Sequence, residues 1–151
     1  MSLVADEILW ELSGLHRRLR EVASATPALD RKPTEEANSI AVLVTHAIGA
    51  ELAWLHLAAG RSHTRDRATE FAVSAATAQE LIRAVDEAER IAPDLVRAAF
   101  SDGLETQRDR PDARPVSAGY CLTHAVAHTA EHVGQAELTR QLLAPTSATA
   151  R

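Results

Sequence analysis

Apolar residues in this chain return every third or fourth position through four long segments, and no segment alternates convincingly as a half-buried strand would. That period restricts the fold to helices packed on helices. The first predicted helix runs from about Leu3 to Ala23, with Ile8, Leu12, Leu15, Leu19 and Val22 on one stripe, and Pro27 and Asp30 to Pro33 end it. The second runs from about Ser39 to Ala59, capped by Asn38 or Ser39 and closed by Gly60. A polar, arginine-bearing connection, Arg61 to Ser74, follows. The third opens on Thr77-x-x-Glu80, a capping box, and carries Leu81, Ile82, Val85, Ile91, Leu95, Val96 and Phe100. Pro93 should kink or split it. Ser101 to Pro115 reads as a loop. Ser117 then caps a fourth helix reaching about Leu143, with Pro145 beyond it and a frayed tail from about residue 145. No internal repeat or low-complexity tract interrupts the pattern. The expectation is an all-α four-helix bundle, one domain spanning residues 1–151.

Composition narrows the function. Hydrophobic residues make up 46% of the 151, enough for a core, and the net charge of −5 argues against a non-specific nucleic-acid binder. Aromatics at 3% leave no stacking surface for single strands. Cys121 is the single cysteine, so neither an internal disulfide nor a CxxC site is available. The N-terminus MSLVADEILW lacks the basic, then apolar, pattern of a signal peptide. The apolar stretch Ile40 to Leu57 is broken by Thr45, His46, Glu51 and His56 and reads as short of a membrane span. A soluble, cytoplasmic protein is expected.

Seven histidines occur, and their placement is informative. His124, His128 and His132 follow one another at i,i+4 in the fourth helix. Such neighbours lie about 40° apart on one helix face, one turn apart, so His128 and His132 can aim at one point. This is the geometry by which HxxxH holds a metal. Cys121, Ala125, Gln135, Thr139, Leu142 and Leu143 project within about 60° of His128, so that face is expected to look inward, with Thr123, Thr129, Glu137 and Arg140 toward the far side. In the second helix His46 shares a stripe with Val42, Leu43, Ala50, Ala53, Trp54 and Leu57. Facing helices of a bundle assemble metal sites in this way. Either feature alone also fits an ordinary core histidine bonded to a neighbour. Together, His46, His128 and His132 are the candidate ligands of one divalent ion, with open coordination positions. His124 is expected as a hydrogen-bond partner of the site, with ligation as the alternative. His16, His56 and His63 read as surface or loop residues.

At this point the chain resembles the DinB-like superfamily of metalloenzymes, which includes bacterial thiol-dependent S-transferases and the mycothiol-dependent maleylpyruvate isomerase. SIAVLVTHAIGAELAWL, with His46 followed by Trp54, is similar to the segment bearing the family's first ligand. HTAEHVGQAELTRQLL is similar to its H-x-x-x-H-x-G-Q segment with a trailing arginine, and RDRATEF resembles its connection. The resemblance covers roughly residues 3 to 144. It implies the DinB-like four-helix bundle, His46, His128 and His132 as ligands, and often a homodimer. Val133 stands where members often carry arginine, a position that is not a ligand.

All-imidazole ligation suits zinc, nickel, iron or copper, and zinc is the default. The resemblance implies thiol chemistry: the ion lowers the pKa of a low-molecular-weight thiol, mycothiol or bacillithiol, for attack on a small electrophile. Two alternatives stand beside it. One is metal-dependent hydrolysis, for which Glu131 or Glu51 would be the base, although both read as surface charge. The other is a non-catalytic metal-binding stress-response module, closed by His124 or Cys121 as fourth ligand. Cys121, roughly 10 Å along the helix from His128, reads as a small buried residue. Arg61, Arg65 and Arg67 read as a solvated loop, with an anionic cofactor or substrate as the alternative. Trp10, Trp54, Phe71, Phe100 and Tyr120 are expected to be core or pocket-lining, with a polar role near the site open to Tyr120.

Overall fold

A computed structural model of the chain describes residues 2–110 and 113–144. The apolar stripes become four long helices: α1 (Leu3–Ala25), α2 (Ile40–Ala58), α4 (Ala78–Asp102) and α5 (Ala118–Leu143), with a single-turn α3 (Arg67–Phe71) between the second and third of them. Their ends are where side chains satisfy the orphan backbone groups of a helix. The Ser39 hydroxyl accepts from the Val42 N–H, and Ser117 from Tyr120. Thr77 and Glu80 cap α4 reciprocally. At the end of α2, Gly60 takes φ +65° while its N–H donates to Leu57 O and that of Arg61 to His56 O. A left-handed residue is needed there, which glycine supplies without penalty.

The long helices pack with α2 against α5 and α4, and α1 against α4 and α5. One half of the core gathers Leu15, Leu19, Val22, Ile40, Val44, Val85 and Val133, and the other gathers Leu12, Leu55, Leu95, Val96 and Leu122. α2 is the most enclosed helix, buried at almost every position from Ile40 to Ile48. By length and composition it does reach what a membrane crossing needs, contrary to the sequence expectation, yet 61% of that window is buried inside the bundle, as in a core helix.

One expectation is narrowed here and one is corrected. Pro93 does not split its helix, and α4 runs unbroken through it. The loop expected over Ser101 to Pro115 contains an antiparallel hairpin, β1 (Gln107–Arg110) with β2 (Ala113–Ser117). Its sequences, QRDR and ARPVS, carry almost no apolar alternation, and only Val116 turns into the core. Two strands alone are marginal. These are held by Arg108, whose guanidinium donates twice to Ala58 O, at 3.0 and 2.9 Å, and also to Asp102. Trp10, expected in the core or lining a pocket, is 74% exposed and lines a surface depression. The tail expected to fray from about residue 145 lies outside the described residues.

Candidate metal centre

The two histidine-bearing helices, α2 and α5, are direct neighbours. His46, His128 and His132 each offer one ligand atom, and these atoms all lie within 4.8 Å of one another. The facing Nε2 atoms of His128 and His132 are 3.3 Å apart. Two imidazole nitrogens each about 2.05 Å from a tetrahedral ion would be separated by roughly the same distance. His46 is buried and packs edge-on against both rings, with centroids 5.2 and 4.8 Å away.

Bonds behind the rings decide which nitrogen is free. His46 Nδ1–H donates to Glu70 Oε2 at 2.8 Å. Burial opposes ionisation of Glu70, but the hydrogen bonds from Arg65 and His46 outweigh it and hold the carboxyl below its usual range. An ionised Glu70 accepts only, so the proton of His46 sits on Nδ1 and the lone pair on Nε2. The contact of Arg65 Nη2 with His46 Nδ1, at 3.2 Å, is then donor beside donor, because that guanidinium is committed to both Glu70 oxygens at 2.7 Å. His132 Nδ1–H donates to Gln135 Oε1 at 2.9 Å, while Gln135 Nε2 donates to Glu131. The lone pair of His132 therefore also sits on Nε2. Carboxylate or amide partners behind metal-bound imidazoles have this arrangement.

Burial, then the neighbouring His132, His46 and His124, push the His128 pKa down to about 4. His46 is likewise lowered, first by burial. Both are neutral at pH 7, the form that ligates. The His128 Nδ1 atom is buried without a hydrogen-bond partner. The facing Nε2 atoms of His128 and His132, with His132 and His46 held in the Nδ1–H form from behind, are a donor set fitted to a cation.

Glu70 reaches His46 because of a glycine. Asp66 caps α3, accepting from the Thr69 N–H at 3.1 Å, and so directs the following carboxylate at α2. There Gly49 leaves room: a Cβ would overlap Glu70 Oε1 and lie 2.8 Å from its Cδ. Sequence reasoning missed Glu70, Gln135 and Gly49 as parts of the site. A glycine inside an otherwise apolar helix was the available signal for the last, and the Gln of HxGQ for the second.

The histidine face is not the core face of α5. The buried stripe is Cys121, Leu122, Ala125, Thr129, Val133, Ala136 and Thr139, while Gln135 and Leu142 are exposed. His128 and His132 thus sit half-buried at the flank of the core, and Thr129 faces inward rather than away. Thr129 Oγ1 donates to Glu51 Oε2 at 3.1 Å, and His16 Nε2–H donates to Glu51 Oε1 at 2.8 Å. His16 and Glu51, both expected at the surface, are wholly buried. Each hides the other's polarity, which no single helix can reveal.

His124 is not a hydrogen-bond partner of the cluster. Its ring packs at 4.2 Å from Trp54 and stacks on Tyr120 at 5.6 Å, and burial lowers its pKa. Phe71 lies 4.5 Å from His46 and covers it from the solvent side. His56 and His63 stack on each other at 4.4 Å, with His56 half-buried and its Nδ1–H donating to Leu52 O. Cys121 is fully buried, which pushes its thiol pKa up, and it lies outside the cluster. Arg65 is no solvated loop residue, given its bond to Glu70. Arg61, Arg65, Arg67 and Arg110 line a cavity of about 780 Å3 with Trp54.

The helical bundle, with three histidines converging between two of its helices, is a member of the DinB-like superfamily. Within it, the chain belongs to the mycothiol-S-transferase family, whose model matches residues 6–145. No curated protein matches the chain.

Proposed function

We propose that the protein is a metal-dependent thiol S-transferase. His46, His128 and His132 hold one divalent ion, zinc by default with nickel or iron as alternatives. The observation that carries this reading is the convergence of three imidazoles, two of which, His46 and His132, have their tautomers set from behind by Glu70 and Gln135. A divalent ion held there supplies Lewis acidity, which lowers the pKa of a thiol. The family points to mycothiol as that thiol, with bacillithiol the alternative, and to a small electrophile as its partner. The thiol proton passes to solvent; in transfer the sulfur bonds the electrophilic carbon as the leaving group departs with its electron pair, and in isomerisation the thiolate adds across a carbon–carbon double bond and is expelled again after rotation.

The residues around the site divide the remaining work. Glu70 keeps His46 aimed, Arg65 keeps Glu70 ionised, and Phe71 and Trp54 exclude water. A hydrolytic reading requires a general base. Glu51 is committed to His16 and Thr129, Glu70 to His46 and Arg65, and Glu131 is exposed and bonded to Gln135. Those commitments favour thiol transfer. The reading treats the chain as one cytoplasmic domain that needs neither nucleic acid nor a membrane. A homodimer is also part of the proposal, and sedimentation of the purified protein at twice the monomer mass is the expected result.

Elemental analysis of the purified protein beside H128A, together with conjugation of mycothiol to a fluorogenic haloalkyl electrophile, tests the proposal. Stoichiometric metal and metal-dependent conjugation, both lost in H128A, are expected. Conjugation unchanged after complete metal removal would end the reading.

A further inference from the structure

The cavity beside the histidine cluster has a charge that thiol activation does not require. Its floor is apolar, made by Trp54 and Leu57 of α2, and its walls are Arg61, Arg65 and Arg67 from the connection and Arg110 from β1. A volume of about 780 Å3 suits a small organic molecule. Among the described residues, no carboxylate lines it. Arg65 is neutralised by Glu70, whereas Arg61, Arg67 and Arg110 form no salt bridge to a carboxylate among the described residues. Arg67 lies over the Phe71 ring at 4.8 Å, and Arg110 over the Trp54 indole at 4.9 Å.

Arginines of a solvated loop would splay into water. Here Arg110 of the hairpin joins Arg61, Arg65 and Arg67, more than 40 residues earlier, on one concave surface, in a chain whose net charge is −5. The Phe71 and Trp54 ring faces hold the guanidinium groups of Arg67 and Arg110, whose side-chain N–H donors make no hydrogen bond among the described residues. Such donors match a carboxylate in a paired geometry. The cavity also abuts the cluster: Arg65 reaches Glu70 and thence His46, and Trp54 touches His124, whose ring is 5.7 Å from that of His128.

We infer that this cavity binds a small carboxylate with an apolar or aromatic body, and that this molecule is the electrophilic co-substrate. The assignment of binding stands on the cavity alone, and its role as co-substrate rests on the transferase reading above. Arg61, Arg67 and Arg110 receive the carboxylate, Trp54 and Leu57 receive the body, and the reactive carbon points toward the histidines. The same chemistry could come from a carboxylate-bearing thiol, so the test separates the two sources.

The first arm measures binding without chemistry. Calorimetric titration compares 3-nitrobenzoate with 3-nitrobenzamide on the full chain freed of metal by chelation, and on H128A. A preference for the carboxylate of at least tenfold is expected in both, weakening as salt rises. In R61A/R110A the preference should fall to within twofold while the melting temperature stays within about 2 °C. Equal affinity for both probes, or no binding of either, overturns the inference. The second arm uses the metal-loaded protein, mycothiol, and 4-chloro-3-nitrobenzoate or its amide. The thiolate forms a C–S bond as C–Cl breaks, chloride leaves with its electron pair, and the thiol proton passes to buffer. Rates are divided by the uncatalysed rates. A carboxylate preference lost in R61A/R110A supports the assignment. If that double substitution affects only a carboxylated thiol such as glutathione, the co-substrate assignment is overturned. If the first arm holds and no thiol transfers, the transferase reading fails while the anion site remains.

Discussion

Substituting Gly49 by alanine separates what this site needs from what the fold needs. Gly49 lies three residues after His46 in α2, and an added Cβ would overlap Glu70 Oε1 and come 2.8 Å from Cδ. The carboxylate would have to retreat by about 1 Å to reach ordinary contact, which carries the 2.8 Å bond to His46 and the 2.7 Å bonds to Arg65 out of hydrogen-bonding range. Glu70 is flexible at its tip, so the backbone need not move. Alanine also gains about 1 kcal/mol of helix propensity over glycine. Losing a charge-assisted bond costs about 1.5–3 kcal/mol. Net stability should therefore fall by no more than about 2 kcal/mol. Metal affinity should fall about 10- to 100-fold, because His46 loses the partner that fixes its tautomer. Competition of Co2+ or Zn2+ against a chromophoric chelator measures the affinity, and urea melts of the metal-free protein measure the stability. G49A binding metal within threefold of the parent would refute the role given to Glu70.

Two further outcomes follow from the same geometry. His128 and His46 both titrate below the ordinary imidazole value, His128 at about 4, while in the unfolded chain they take up protons near 6.5. The unfolded state thus binds more protons between those values, and the metal-free protein should lose stability as pH falls from about 6.5 to 4. Urea midpoints that stay flat over that window contradict this. H16L strands the Glu51 carboxylate with one hydroxyl and should cost about 3–5 kcal/mol in a thermal or urea melt, whereas H16L/E51L should recover most of it. A single-variant loss under about 1 kcal/mol would show that the pair is not structural.

The four helices and their caps were legible because they are local facts. Apolar spacing at Leu12, Leu15 and Leu19, the Thr77–Glu80 box, Ser117 and Gly60 act within a few residues of chain. The pairing of His128 with His132 is local too, since i,i+4 geometry belongs to any helix, and the addition of His46 needed only that α2 and α5 be neighbours. What tertiary structure decided is what faces each helix. His16 and Glu51 look like surface groups until each is found burying the other across 35 residues. The hairpin has no apolar alternation of its own, and it is held by Arg108 reaching back to Ala58. Glu70 is one more acid in a polar connection until Gly49, on another helix, makes room for it. The arginines around Trp54 gather from segments whose proximity no local pattern encodes. Periodicity and capping are written in neighbouring residues. Desolvation and charge pairing depend on what lies across the interface, and only the folded chain brings that partner near.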